Sequence, residues 1–391
     1  MAAPIAIGLL WHSASSGNLG VGALTVANIA IARAVAAGMG LEPRFLIIGM
    51  RDGQARYIDD PAVDSFAIDA RSLVSPGGYL SALTRVDCVL DIGAGDSFAD
   101  IYGGKRFFYL WLTKMLAVAR GVPLLLSPQT VGPFTRQPYR GLAVSAMERA
   151  HAVFSRDTMS LGVAREIAPA ARNLLAVDVA FALPFEDRSA ERGSSRLRIG
   201  VNASGLLVSE AESGRNRFGL GYDYADFTRR LVRELTARAD VEVHLITHVA
   251  SPVIGDDDGA LADRLAGEFP SAIRVPTFAG PSQAKSYISS LDFLVAARMH
   301  ACIAAFSSGV PVIPVSYSRK FSGLFGMLGY DHLVPAHGVD GEGALALVRA
   351  AIEQRGRLAA EVATGMGRVN GLLDAYRAEL RSFFAKAAKR R

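Results

Sequence analysis

DFLVAARMHACIAAFSSGVPVIPVSYSRK, residues 292–320, holds one complete strand–helix–strand unit, and its reading sets the fold class. DFLVAA (292–297) is an unbroken apolar run too short for a helix, of the kind found where a strand is buried on both faces. A helix of small residues follows from about His300 to Ser308 and stops at Gly309; VPVIPVSY (310–317) is then the next buried strand. Strands joined through a helix run parallel, because a hairpin turn cannot connect them.

The same alternation extends back along the chain. RLRIGVNAS (196–204), VEVHLITHVA (241–250) and IRVPTF (273–278) read as strands, with helices over 224–238, 259–269 and 282–291. Before them EDRSAERGSSR (186–196) is polar and turn-rich, a linker. A first series precedes it, with strands at PIAIGLL (4–10), RFLIIGM (44–50), DCVLDIG (87–93), PLLLSPQT (123–130) and HAVFSRD (151–157), and helices over 23–40, 109–121 and 141–150. Residues 342–391 read as helical without glycine-rich turns. The expectation is α/β throughout: an N-terminal domain (1–185), the linker (186–196), a C-terminal α/β domain (197–340) and C-terminal helices (341–391), the two domains facing across a cleft.

Composition narrows the functional classes. With half of its 391 residues hydrophobic and a fifth charged, the chain can bury a large core. A formal charge of +5 is small for this length; it suits an anionic small substrate and argues against nucleic acid as a partner. Cys88 and Cys302 stand far apart in apolar surroundings, which fits free buried thiols in a reducing cytoplasm and neither a disulfide nor a zinc site. Residues 1–32 lack Lys, Arg, Asp and Glu, but SASSGNLGVG interrupts their apolar stretch, and no segment is read as a spanning helix. The expected location is the cytoplasm, including the inner face of a membrane; AKAAKRR at the end reads as a solvated tail.

In open parallel sheets ligands bind beyond the carboxyl ends of strands, where helix N-termini point into the crevice. Two Gly-rich turns lie there, WHSASSGNLGVG (11–22) and IGAGDSF (92–98), with PQTVGPF (128–134) and RDTMS (156–160) after later strands. Neither a dinucleotide fingerprint nor a phosphate-binding GxxxxGK[ST] loop is present. Arg298 and His300 follow DFLVAA at a helix start, where the dipole favours anions, and Lys320 lies past the next strand. Arg156 ends a strand in the first half, so two facing domains would bring four cations together and point to a multiply charged anion. Of the other histidines, His12 follows the first strand and could touch ligand. His244 and His248, at i and i+4 of one strand, read as core, and His151, His332 and His337 join no constellation.

In their order along nearly the whole chain, the motifs resemble the polysaccharide pyruvyl transferase family: GNLGVGAL, DIGAGDSF, SPQTVGPF, SRDTMS, VDVAFAL (177–183) and RMHACIAAFSSGVPVIPVSYSRKF (298–321). The last block is the most specific. The resemblance implies a glycosyltransferase-B-like fold of two Rossmann-type domains. It also implies transfer of pyruvate from phosphoenolpyruvate, as co-substrate and without a further cofactor or metal, onto two hydroxyls of a sugar in a polysaccharide or its lipid-linked precursor. It ties Arg156, His300 and Lys320 to the donor, with His300 as the general acid. Arg298, Asn18, Gly93, Gly95, Asp96, Gln129, Gly132 and Tyr317 are the further candidates for substrate contact, Asp96 being a guess for the base. The family's GNxGDxA stands here as GNLGVGA, with Val21 at the acidic position, and its GGG as Gly93-Ala94-Gly95. A nucleotide-sugar-dependent glycosyltransferase and a catalytically silent glycan-binding protein are the other readings. A peripheral membrane contact and self-association are left open.

Overall fold

The computed structural model describes residues 2–93, 97–193, 195–251 and 255–389. Contacts divide the chain into two units: residues 1–16, 24–182 and 369–391 form the first, and residues 17–23 and 183–368 the second. In chain order the elements up to the break are β1 (Ala3–Leu10), α1 (Leu19–Ala37), β2 (Leu41–Gly49), β3 (Val63–Ala67), α2 (Ala70–Val74), α3 (Tyr79–Ala82), β4 (Cys88–Asp91), α4 (Gly104–Ala119), β5 (Leu124–Gln129), α5 (Tyr139–Met147), β6 (Val153–Ser155), α6 (Thr158–Ile167) and β7 (Asn173–Leu175). After it come β8 (Leu197–Asn202), α7 (Gly205–Glu212), α8 (Tyr224–Thr236), β9 (Val241–Leu245), α9 (Asp258–Glu268), β10 (Ile273–Arg274), α10 (Pro281–Ile288), β11 (Phe293–Ala296), α11 (Met299–Ser307), β12 (Val312–Pro314), α12 (Arg319–Met327), α13 (Gly341–Glu353) and α14 (Arg355–Ala388).

Both sheets are parallel. The first runs β3-β2-β1-β4-β5-β6-β7 and the second β10-β9-β8-β11-β12. Each therefore reverses its winding once, between β1 and β4 or between β8 and β11, and a crevice opens at that point beyond the strand ends. The central strands β4 and β5 are buried along their whole length, as their unbroken apolar runs require. α4 buries Phe107, Leu110, Thr113, Lys114 and Ala117, a helical stripe, against the same core.

Several boundaries differ from the sequence reading. β3 and β7 were not anticipated, because short edge strands that are partly exposed carry no apolar run. β9 ends at Leu245, five residues short of the expected strand, which frees His248 to leave the sheet. α1 begins at Leu19 rather than Ala23. It is 19 residues long and, by length and composition alone, apolar enough to cross a membrane, although 67% of that stretch is buried inside the protein. The segment read as a linker is pinned by hydrogen bonds: the backbone N–H groups of Glu186 and Arg188 donate to Ser286 and Ser289, and Lys285 Nζ donates to the Leu183 carbonyl at 3.0 Å. Burial brings Lys285 down to about 7. Both cysteines are free and buried, which pushes their thiols up.

The core of the first unit contains two polar assemblies. Lys114 and Asp91, both fully buried, pair at 3.0 Å; Lys114 Nζ also lies 4.5 Å from the centroid of Phe98, and Gln129 Nε2 donates to Asp91 at 3.1 Å. Burial pulls Lys114 below the ordinary lysine value while Asp91 works to keep it charged. The second assembly corrects the expectation that His12 could touch a ligand. His12 is buried with Nδ1 donating to the Leu10 carbonyl, and Nε2 accepts from Asn28 at 3.0 Å. Asn28 in turn meets Ser127 and Tyr376.

Two outcomes follow for stability. Lys114→Met strands the Asp91 charge and should cost about 3–5 kcal/mol, whereas pairing it with Asp91→Leu should recover most of that loss, both read from urea unfolding. Burial holds His12 at about 4, so the unfolded chain binds its proton first. The stabilisation is therefore complete above about pH 6.5 and drains away as the pH falls toward 4. Between pH 7 and 5 this group alone should remove about 2 kcal/mol, a difference that His12→Gln should erase.

Candidate functional site

The second unit assembles its site at the β8/β11 reversal. There β8 ends in a polar residue with a backbone-holding task. Asn202, the last residue of β8, accepts from the Arg298 N–H at 3.1 Å and donates to the Ile246 carbonyl at 3.0 Å, tying three strand ends together. Asp258, 1% exposed, sits at their centre. Its carboxylate accepts from the backbone N–H groups of Gly205 (3.1 Å), His248 (3.3 Å) and Val249 (3.1 Å), and from the Arg298 guanidinium at 2.8 Å. Arg298 also reaches Asp256 at 2.7 Å. Burial opposes the Arg298 charge, but the carboxylates around it, Asp258 above all and then Asp256, leave the guanidinium's pKa raised. Gly205 is required here, since a Cβ would lie 2.5 Å from the Asp257 carbonyl oxygen.

His300 stands in the first turn of α11, half-buried. The glycine-rich segment 17–23 belongs to this unit and bounds one side of it. Leu19 N donates to the His248 carbonyl at 3.1 Å, Ala250 N donates to the Gly17 carbonyl at 2.8 Å, and Asn18 Oδ1 accepts from Gly20 N at 2.9 Å. Gly20 then packs directly on the imidazole: a Cβ there would come within 2.3 Å of His300 Nδ1. The requirement for glycine at this position of GNLGVGA is thus a requirement for space beside His300. Asn18 acts here on the backbone of α1, and Val21 follows in the same turn, its N–H on the Asn18 carbonyl at 3.0 Å.

His248 was read from the sequence as a core strand residue. It lies past the end of β9, buried and close enough to His300 and Arg298 to feel their charge; burial first, then those two neighbours, lower it to about 3. It is a neutral ring beside His300 at any physiological pH. The signal that could have found it, and Asn202, is position at or just beyond the carboxyl end of a strand; Asp258, at the start of α9, carries no such signal. Tyr317 follows β12, its ring packed edge-on against Phe218 and Phe321. Lys320 is half-buried in the first turn of α12, whose N-cap is Ser318.

The remaining candidates lie in the first unit, again at strand ends. Arg156 follows β6 and is 5% exposed; its Nη1 pairs with Asp178 of VDVAFAL at 2.7 Å. The neighbouring Asp157 instead caps α6, accepting from Ser160 N at 2.7 Å. Arg156 and Arg298, read from the sequence as cations that converge on an anion, are both engaged by buried carboxylates distant in the chain, which no local pattern reveals. Gly93 has a φ of +61°, and a Cβ there would meet Gln129 Oε1 at 2.2 Å; Arg106 donates to the Gly93 carbonyl at 3.3 Å. Gly132 also has positive φ, +73°. Gln129 Oε1, Thr130 Oγ1, Ser97 Oγ and Ser155 Oγ are buried here with no hydrogen-bond partner among the described residues, so this rim is polar beyond what its own bonds use. Gly95 and Asp96 lie outside the described residues. No group of three or more His, Cys, Asp or Glu side chains that could hold a metal ion occurs among the described residues.

Comparison with known proteins locates the chain. A family model for polysaccharide pyruvyl transferase matches residues 30–319. No curated protein matches the sequence. Among solved structures, sucrose-phosphate synthase from Thermosynechococcus elongatus is similar with a TM-score of 0.56 at 12% identity, over 100% of both chains. UDP-GlcNAc 2-epimerase from Neisseria meningitidis gives 0.55 at 10% over 100% of both chains. MurG from Acinetobacter baumannii gives 0.54 at 11%, over 97% of this chain and 99% of that one. These likenesses establish a glycosyltransferase-B-like fold of two Rossmann-type domains, and fold alone does not carry chemistry.

Gly20→Ala separates site geometry from stability. Alanine suits a helix at least as well as glycine, so unfolding free energy should stay within about 1 kcal/mol of wild type. The added methyl must push the His300 ring aside, and any activity that depends on that ring should fall at least tenfold, on the general scale of misplaced reacting groups. Unchanged steady-state kinetics would show that the close packing has no functional consequence.

Proposed function

The chain belongs to the polysaccharide pyruvyl transferase family, and on that premise we propose that it moves pyruvate from phosphoenolpyruvate to two hydroxyls of a sugar, in a polysaccharide or its lipid-linked precursor, as a cyclic ketal. The observation that carries the reading is His300: a titratable ring at a helix start, held against the Gly20 backbone beside the neutral His248. Holding a phosphate requires charge, which arginine or lysine supplies at every physiological pH; a histidine adds a proton that can be transferred.

In this proposal His300 gives its proton to the methylene carbon of phosphoenolpyruvate, and the neighbouring carbon becomes oxocarbenium-like. One sugar hydroxyl adds to that carbon and loses its proton. The second hydroxyl adds as the bond to the phosphate oxygen breaks, so one hydroxyl proton restores the histidine and the other leaves with phosphate. Lys320, in the same unit as His300, is assigned to the donor's anionic groups. Arg298, whose charge Asp258 already balances, serves chiefly to position His300 through the turn they share.

Incubation with phosphoenolpyruvate and candidate glycans should release inorganic phosphate only when an acceptor is present; release of the nucleotide from a nucleotide sugar instead would identify a glycosyltransferase. His300→Gln preserves much of the ring's shape and hydrogen bonding but cannot deliver the proton. Turnover should fall by roughly 10²–10⁴ with little change in donor affinity. A variant that loses donor affinity yet keeps its turnover at saturating donor would reduce His300 to a ligand.

A further inference from the structure

We propose that the outer surface of α4 and α5, in the first unit, is a docking face for an anionic lipid bilayer. Among the described residues, Ile101 (53% exposed), Tyr102 (41%) and Phe108 (47%) are large apolar side chains left in solvent within eight positions of one another. The other large apolar side chains of comparable exposure, Met50, Val74, Met159, Ile273 and Leu347, are spread singly along the chain. Isolated exposed residues of that kind are ordinary, whereas a cluster marks a surface with a partner.

The cluster has a definite frame. Phe108 packs on Trp111 with ring centroids 5.6 Å apart, and Trp111 Nε1 donates to Ser145 Oγ of α5 at 3.0 Å, so the aromatic pair sits over the seam between the two helices. The entrance to α5 adjoins the first turn of α4, because a Cβ on Gly104 would meet the Tyr139 hydroxyl at 2.2 Å. Around this seam Lys105, Arg136, Arg140 and Arg149 are all exposed. Arg136 lies over the Tyr139 ring at the entrance to α5, and Arg149 donates to the carbonyl of Ser145, the residue that Trp111 bonds. The acidic groups nearby cancel only part of this charge. Asp100 is buried and accepts from Thr135, Glu166 is paired with Arg140 at 3.3 Å, and Glu148 alone stands exposed on α5.

Aromatic and aliphatic tips ringed by cations meet the two demands of one environment. The apolar tips take the headgroup–acyl boundary, and the long basic side chains reach back to lipid phosphates. An acidic protein would satisfy the cations but offer Ile101 and Phe108 nothing to enter. The face belongs to the first unit and His300 to the second, and the proposal does not depend on which donor the protein uses.

The experiment is flotation of the full chain with vesicles of phosphatidylcholine alone or with added phosphatidylglycerol. Wild type should float with the anionic vesicles, less so as salt rises. Ile101→Ser combined with Phe108→Ser should lower the partition coefficient roughly tenfold or more. Lys105→Glu combined with Arg136→Glu should lower it about tenfold at low salt, and all four positions are exposed enough to leave the urea midpoint unchanged. Wild type that stays with buffer, or either double variant floating like wild type, would overturn the proposal. So would light scattering in which wild type is an oligomer and the apolar double variant a monomer, since the face would then join two copies of this chain.

Discussion

One buried carboxylate organises the second unit. Asp258 receives three backbone N–H groups and a guanidinium, and those donors come from the ends of β8 and β9 and from the turn between β11 and α11. A charge this deeply buried is tolerable only because every one of those partners is in place. Conversely, the turns at the ends of three parallel strands, which have no ladder to hold them, take their positions from it. His300 two residues beyond Arg298 and His248 on its own N–H bond are placed by the same group, so the geometry around these two rings is inherited from a buried ion pair.

The glycine-rich segment near the N-terminus shows how backbone freedom and chemistry meet. GNLGVGA resembles an anion-binding loop in composition. Its observed work is mechanical: Gly17 and Leu19 bond to the strand-end loop at 248–250, and Gly20 gives up its side-chain space to His300. Gly93 does the same for Gln129 in the first unit. In both places a glycine marks where backbone approaches a polar side chain closely, a more specific role than a turn.

Solved structures of quite different chemistry share this architecture at 10–12% identity. Parallel sheets covered by helices demand apolar strands and little else, which many sequences supply. The match to the family model runs over residues 30–319, so it takes in strands and helices of both sheets as well as the polar segments at the strand ends.

Much of this was legible in the sequence, and the limit has a physical origin. Apolar runs of strand length alternating with helical stripes determine a parallel α/β fold, because only burial on both faces stabilises such runs; β4, β5 and β11 could hardly be anything else. The same reasoning put Arg156, Arg298, His300 and Lys320 at strand ends or just beyond them. It missed β3 and β7, whose half-exposed residues carry no apolar signal, and it kept His248 inside a strand that stops three residues earlier. The partners of Arg156 and Arg298 lie 22 and 40 residues away, Asp178 and Asp258, and only the folded chain pairs them. Sequence by itself determined the layers, since periodicity is local and reports burial. Tertiary structure decided which charges are spent on the fold and which ring glycine makes room for, since a buried ion pair or a missing Cβ acts on whatever the fold brings beside it.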